Sequence, residues 1–343
     1  MQFEFTNPQT EVEAFIGGHF SINAFGRIEV GDDEKFIDFL KRTSPPSRTT
    51  IYIHSTGGAV EPAIAIGRRI REAWFSTSVG RLLLGHDPSF DLLVPRVHQP
   101  GSCLSAATLM FLGGKLRYFS SDSNFGVHRF SFKKPKAGSV AKSQMLSAKI
   151  AKYVLDMGVS ADFLELSSAT DSKKINLLTE SQLREMRIVT GGETSVIWTV
   201  QALEGSIYVR GERDSQYGHH KILLSYFRPG NFVVWSIIEA QGREEELINF
   251  SIVEITINND ENLTIDVSDR ASRFVNGGYV NILASINNDE AKLIAYSDSF
   301  GCRVRGSKEA GVFYGIAPML TEGGSMQLRA LYSMFSEMKG EPA

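Results

Sequence analysis

The chain has 343 residues, too many for one ordinary hydrophobic core, and its 42% hydrophobic and 22% charged residues are the balance of a globular protein built from two. A net charge of −3 excludes a dedicated nucleic-acid binder, which needs a concentrated basic face. The two cysteines, Cys103 and Cys302, lie far apart, make no disulfide framework and fit a reducing compartment.

No run approaches the ~20 apolar residues that span a bilayer. The start, Met1-Gln-Phe-Glu-Phe-Thr6, carries no basic leader followed by an apolar run. The expectation is a cytoplasmic protein with no membrane partner and no nucleic-acid partner.

Ala14 to Val30 reads as β-rich, with turn signals at Gly17-Gly18, Asn23 and Gly26. Asp32 and Asp33 open a helix whose apolar positions Phe36, Ile37, Phe39 and Leu40 recur at helical spacing, and Ser44-Pro-Pro-Ser47 ends it. Thr50–His54 is short, β-branched and bounded by turns, hence a buried strand. After the turn Ser55–Ala59, the periodicity predicts a helix over Val60–Trp74, with Ala63, Ile64, Ile66, Ile70 and Ala73 inward and Arg68, Arg69 and Arg71 outward. Ser76–Leu84 reads as one strand. Strands alternating with helices argue for βαβ units and a largely parallel sheet.

Gly85–Gln99 has no periodicity and reads as an inserted loop carrying His86, Asp87 and His98. Pro100–Gly114 reads as a small-residue turn opening a short apolar helix, with Ser105 at the junction. Lys115–Ser120 and Asn124–Phe132 follow as strands, and Lys133–Gly138 as a basic, solvated turn. An amphipathic helix is predicted from Val140 to Met157, with Met145, Leu146, Ile150, Val154 and Leu155 apolar. Ser160 caps another, and Thr179 begins a third with capping-box character.

The texture changes near Gly191-Gly192. From Ser195 onward the runs Val196–Val200, Ser206–Arg210, Lys221–Tyr226, Asn231–Ile237, Phe250–Ile257, Leu263–Val267 and Tyr279–Ala284 are strand-like. Asp289–Tyr296 and Ser325–Met338 look helical. The organisation expected is an α/β domain over 1–192 and a mainly β (α+β) domain over 195–343, a sandwich or barrel.

Three pieces of the first domain bear on chemistry. The Gly57-Gly58 turn lets backbone N–H groups approach a cavity closely. Ser105 stands at its turn with the Ala106 N–H beside it, and His128 follows on a strand. A serine hydroxyl is a weak nucleophile at neutral pH and needs a base within hydrogen-bond reach and N–H donors for the oxyanion.

Tyr52-Ile-His-Ser-Thr-Gly-Gly-Ala-Val60, Gly101-Ser-Cys-Leu-Ser-Ala-Ala107 with Gly113-Gly114, and Val127-His-Arg129 resemble, in this order and spacing, the motifs of the ClpP/crotonase superfamily. They are closest to ClpP-like serine peptidases. The resemblance covers about residues 14 to 190 and implies a ClpP/crotonase-like fold of repeated ββα (spiral) units. It implies Ser105 as nucleophile, His128 as general base, and an oxyanion hole from Ala106 and the Gly57-Gly58 turn, Gly58 above Gly57. The reaction implied is peptide or amide hydrolysis through an acyl-enzyme, ATP-independent or fed by a partner. It also implies a homo-oligomer joined through helix 140–157.

The resemblance further implies an acid orienting His128, and Asp171 is the one expected: the position falls on Asp171 when counted from Gly158-Val-Ser160, and on Ile175 when counted back from Leu178-Thr-Glu180. A dyad, or a backbone carbonyl on His128, is equally workable, and a helix cap is the plainer role of Asp171. Thr56 in place of proline, His54 in place of a small amide, and Arg129-Phe130 in place of Gln-Pro depart from the family pattern.

Other residues have plainer readings. Cys103 reads as a small buried hydrophobe, and Ser102 precedes the helical register that Ser105 begins. His86, Asp87 and His98 lack compact ligand spacing, and His219-His220 reads as a surface pair at a strand start. Trp198, Tyr208, Tyr226, Phe232 and Trp235 read as core. No metal and no cofactor is called for. The second domain is expected to bind substrate, recruit a regulatory partner or drive assembly. Two alternatives stay open: a non-catalytic scaffold that kept the fold, and a crotonase-like enzyme acting on acyl-CoA.

Overall fold

The computed structural model describes residues 1–16, 19–85, 92–129, 139–203, 206–227, 230–258, 260–310 and 313–336. The turn at Gly17-Gly18, His86 and Asp87, Phe130 and the basic turn Lys133–Gly138 lie outside them. The protein is mixed α/β, 31% helix and 38% strand, distributed over several sheets. It forms two compact units, Met1–Gly192 and Glu193–Ala343.

In the first unit the chain runs β1 (Gln2–Thr6), α1 (Glu11–Ile16), β2 (Ser21–Phe25), α2 (Asp32–Thr43), β3 (Thr50–His54), α3 (Val60–Glu72) and β4 (Ser76–Val79). It continues through β5 (Arg81–Leu84), β6 (Arg96–Gln99), β7 (Ser102–Leu104), α4 (Ala106–Leu112), β8 (Arg117–Tyr118) and β9 (Asn124–Val127). Helices α5 (Ser139–Asp156) and α6 (Asp162–Ala169), strand β10 (Asn176–Leu177) and helix α7 (Glu180–Glu185) complete it. A five-stranded sheet of order β1-β2-β3-β4-β8 is parallel except for β1, as strand–helix alternation requires. A second sheet, β10-β9-β7, pairs β7 and β9 in parallel. Both sheets contribute to one core with α2 to α5, in which Ile22, Ile51, Ile53, Ile66, Phe111, Phe125 and Tyr153 are fully buried.

Several expectations change. The strand expected over Ser76–Leu84 is two, because Gly80 at φ +121° turns the chain between β4 and β5. The expected loop Gly85–Gln99 ends in a strand, β6, paired antiparallel with β5. Of the strand expected over Asn124–Phe132, Asn124–Val127 forms β9, His128 and Arg129 lie beyond its end, and 130–132 lie outside the described residues. Arg71 is not outward: its Nη2 donates to the Leu112 carbonyl at 3.1 Å. The turn before Ser105 is strand β7, an assignment single-residue propensities miss because three residues of β7 gain their order only from β9.

The second unit carries two antiparallel sheets. The first has order β11 (Ile197–Leu203), β12 (Ser206–Ser215), β13 (Gly218–Phe227), β14 (Asn231–Glu239), β18 (Tyr279–Ile286) and β17 (Ala271–Asn276). The second has order β16 (Asp260–Asp266), β15 (Ile252–Ile257), β19 (Ser299–Arg305) and β20 (Tyr314–Leu320). Their apolar faces share one core with helices α8 (Glu244–Asn249), α9 (Asn288–Ala295) and α10 (Ser325–Ser336). Strands β17, β19 and β20 and helix α8 are additions to the sequence reading. Gly301 and Gly315 lower strand propensity in β19 and β20, which tertiary pairing overrides. His219-His220 is no surface pair: His220 is 3% exposed within β13, and His219 Nδ1 lies 3.4 Å from Asp214 Oδ1. Tyr208, Tyr226 and Phe232 are buried, while Trp198 and Trp235 are half-buried.

Candidate active site

Ser105 owes its position to strand pairing. Strand β7 sets Ser102 opposite Asn124, Cys103 opposite Phe125 and Leu104 opposite Gly126, and the Ser105 N–H donates to the Gly126 carbonyl at 2.9 Å. Side chains alternate along a strand, so His128, two residues beyond Gly126, extends from the same side of β9. The imidazole Nε2 and the Ser105 hydroxyl lie 2.7 Å apart, within the range of a strong hydrogen bond.

The chain leaves β7 abruptly. Ser105 has φ 57° and ψ −127° before α4 begins at Ala106. A side chain held at such a backbone conformation costs about 1–3 kcal/mol, and the surrounding structure must hold it there. Helix α4 does so, since all seven of its residues are buried. The Tyr153 hydroxyl donates to the Leu109 carbonyl at 2.8 Å. The fully buried Arg117 guanidinium donates to the Leu112, Gly114, Met157, Arg187 and Ile188 carbonyls. Burial pushes Arg117 down to about 9, which leaves it charged at neutral pH.

The Gly57-Gly58 turn is docked against this junction by Ser55. The Ser55 N–H donates to the Ser102 carbonyl at 2.6 Å and the Leu104 N–H to the Ser55 carbonyl at 3.0 Å. Gly57, at φ 92°, sits so close that a Cβ would stand 2.8 Å from Ser105 Cβ and 3.0 Å from the Ala106 nitrogen. The two glycines differ in what their N–H groups do. That of Gly57 donates to Ser55 Oγ at 3.1 Å, which removes it from the expected oxyanion donors. Those of Gly58 and Ala106 make no hydrogen bond among the described residues.

Asp171 does not meet His128. Its Oδ2 accepts from Arg129 Nη2 at 3.4 Å and its Oδ1 from the Lys173 N–H at 2.8 Å. Both side chains of the pair are half exposed. The role seen is that of a turn cap, because the Arg129 N–H ties β9 to the Thr170 carbonyl and directs the following carboxylate to the surface. His128 Nδ1 is buried and has no hydrogen-bond partner among the described residues. Ile175, the other counted position, has its side chain against Gly126. Among the described residues Ser105 and His128 stand as a pair, with no acid on the imidazole.

A cavity of about 250 Å³ opens at this pair. Its walls include Val60, Leu109, Ile150, Phe163 and Leu164, with Thr108, Ser147, Ser167 and Ser168 supplying hydroxyls and Arg129 a charge. These residues carry no functional signal in the sequence, since Ile150 and Phe163 follow the periodicity of ordinary core positions.

The chain matches no family model and no curated protein.

The remaining candidates fall away from the pair. Cys103 is fully buried, and burial raises its thiol far above the ordinary range, so it carries no thiolate. His98 Nε2 donates to the Val79 carbonyl at 2.9 Å, and His54 Nδ1 accepts from the Ser102 N–H at 3.3 Å. Among the described residues no three His, Cys, Asp or Glu side chains converge as metal ligands. Among them, too, no helix is long and apolar enough to cross a membrane.

Proposed function

We propose that residues 1–192 are a ClpP-like serine hydrolase that cleaves peptide or amide bonds with a Ser105–His128 dyad. The observation that carries this reading is the 2.7 Å contact between Ser105 Oγ and His128 Nε2 in the lining of a cavity. A nucleophile on a backbone held at positive φ after a short strand, beside an N–H with no partner among the described residues, suits acyl transfer.

In the reaction His128 Nε2 accepts the Ser105 hydroxyl proton as Oγ attacks the carbonyl carbon. The N–H groups of Ala106 and Gly58 stabilise the oxyanion. His128 then returns the proton to the leaving amine, and an acyl-Ser105 ester remains. A water molecule, deprotonated by the same imidazole, releases the acid and restores the serine. The apolar wall of the cavity accommodates an uncharged side chain of the acyl part. A cytoplasmic location, and assembly through α5, belong to the same reading; Met145 and Leu155 stand exposed on that helix, as a contact with a second copy would need. The β-rich unit is assigned to a regulatory partner.

Labelling with a fluorophosphonate probe tests the proposal in wild type, Ser105→Ala and His128→Ala. Labelling in the wild type that both substitutions abolish supports it. Labelling that survives Ser105→Ala removes Ser105 as nucleophile. An unlabelled wild type whose melting temperature rises with acyl-CoA transfers the site to a CoA-binding enzyme.

A further inference from the structure

The cavity beside Ser105 has a nearly neutral lining among the described residues. Among its described lining residues Arg129 alone carries a permanent charge. Its backbone is fixed, because it follows His128 directly and its N–H donates to the Thr170 carbonyl at 3.0 Å. Its side chain is 55% exposed and, among the described residues, is held by one long contact, Nη2 to Asp171 Oδ2 at 3.4 Å. A guanidinium has five N–H donors in a planar fork suited to a carboxylate, so this contact leaves the fork largely unspent. The half-exposed pair with Asp171 contributes little stability, and Asp171 keeps its turn bond to the Lys173 N–H without it. A second carboxylate arriving from solvent can therefore exchange for the first at small cost.

We propose that Arg129 is a specificity-determining residue that selects substrates bearing a carboxylate beside the bond attacked by Ser105, and that Asp171 occupies the guanidinium until the substrate's carboxylate displaces it. This inference rests on the hydrolase reading above. The chemistry recognised is a free carboxylate within reach of the cavity mouth, supplied by an acidic side chain or by the terminus of a peptide. A cation at the same place meets the guanidinium of Arg129 and is disfavoured.

The test uses three fluorophosphonates on the intact chain that differ only in whether the arm ends in a carboxylate, a carboxamide or an ammonium. Ser105 Oγ bonds to phosphorus, fluoride leaves, and His128 accepts the hydroxyl proton. In the wild type the carboxylate arm labels about fivefold to tenfold faster than the carboxamide, the range for one partly solvated charge-assisted hydrogen bond. Arg129→Gln brings that ratio to about one, and Arg129→Glu makes the ammonium arm the fastest. Asp171→Asn raises the wild-type ratio by removing the competing carboxylate. Charge reversal is a readout that mere loss of packing does not produce. Two competitor peptides distinguish the sources: protection of Ser105 by an aspartate-containing peptide amide marks an acidic side chain, and protection by a neutral peptide with a free terminus marks the terminus. Ser105-dependent labelling with equal rates for all three arms overturns the role of Arg129 and leaves the hydrolase standing. Absence of Ser105-dependent labelling by every arm overturns both.

Discussion

Gly57→Ala separates a turn that serves the site from one that serves only the fold. The added methyl would lie 2.7 Å from the Leu104 carbonyl oxygen, 2.8 Å from Ser105 Cβ and 3.0 Å from the Ala106 nitrogen. Ordinary contact begins at 3.4 Å, so the junction must yield by several tenths of an ångström. Those three atoms belong to the nucleophile, the residue before it and the oxyanion donor after it. An error of about 1 Å in a reacting geometry costs about 10²-fold, and loss of one oxyanion donor costs about 10²–10³-fold. The expected fall in fluorophosphonate labelling rate is therefore about 10²-fold. A side chain at φ 92° also costs about 1–2 kcal/mol of stability. At about 2–4 °C per kcal/mol for a domain of this size, the melting temperature falls by about 2–8 °C. Gly26→Ala is the control. Its φ is 90°, so the backbone penalty is the same, but nothing lies within 4 Å of the added methyl. That variant melts earlier and keeps its labelling rate. Equal labelling rates in the two variants would refute the assignment of the Gly57-Gly58 turn to the site.

Asp171→Asn keeps most of the labelling rate with the carboxamide-armed probe, because the carboxylate holds Arg129 and the Lys173 N–H and not His128; a loss near the ~10⁴-fold of a triad acid replaced by its amide would restore Asp171 to the mechanism. Both thiols are buried, Cys103 raised far above the ordinary range and Cys302 pushed up to about 11, so a disulfide reagent in mildly alkaline buffer titrates neither in the folded protein and both after denaturation. Rapid reaction of folded protein would contradict that burial. The Arg96 guanidinium, with the Gln9 and Val94 N–H groups, holds the Glu13 carboxyl at about 2, down from an ordinary 4.5. A lowered acid stabilises the fold above its unfolded value and loses that contribution as pH falls. Melting temperature should thus drop between pH 4.5 and about 2, and Glu13→Gln should flatten the drop; an unchanged slope in the variant would rule Glu13 out as its source.

How much of this was legible depended on whether the signal was periodic. The pattern of Phe36 and Phe39, the β-branched run Thr50–His54 and the capping box at Thr179 are local, and α2, β3 and α7 stand at those places. Gly80 was harder to read. The run around it reads as one strand, and only the pairing of β4 with β3 and of β5 with β6, on either side of a glycine at φ +121°, divides it. The same holds for Ser102–Leu104, whose small residues look like a turn until β9 is set beside them.

By itself the sequence determined two textures of chain, the apolar faces, and a serine, a histidine and a glycine turn as separate pieces. That information is local, carried by side-chain alternation and backbone propensity over a few residues. The tertiary structure decided how the pieces meet. The register of β7 on β9 brings His128 Nε2 to 2.7 Å from Ser105 Oγ, and Ser55 takes the Gly57 N–H while leaving that of Gly58. It also turned Asp171 to the surface against Arg129, where counting along the chain had pointed to His128. A bond between residues distant in sequence is set by strand register and by where a loop is anchored, and a shift of one residue in either reverses which side chains face the site.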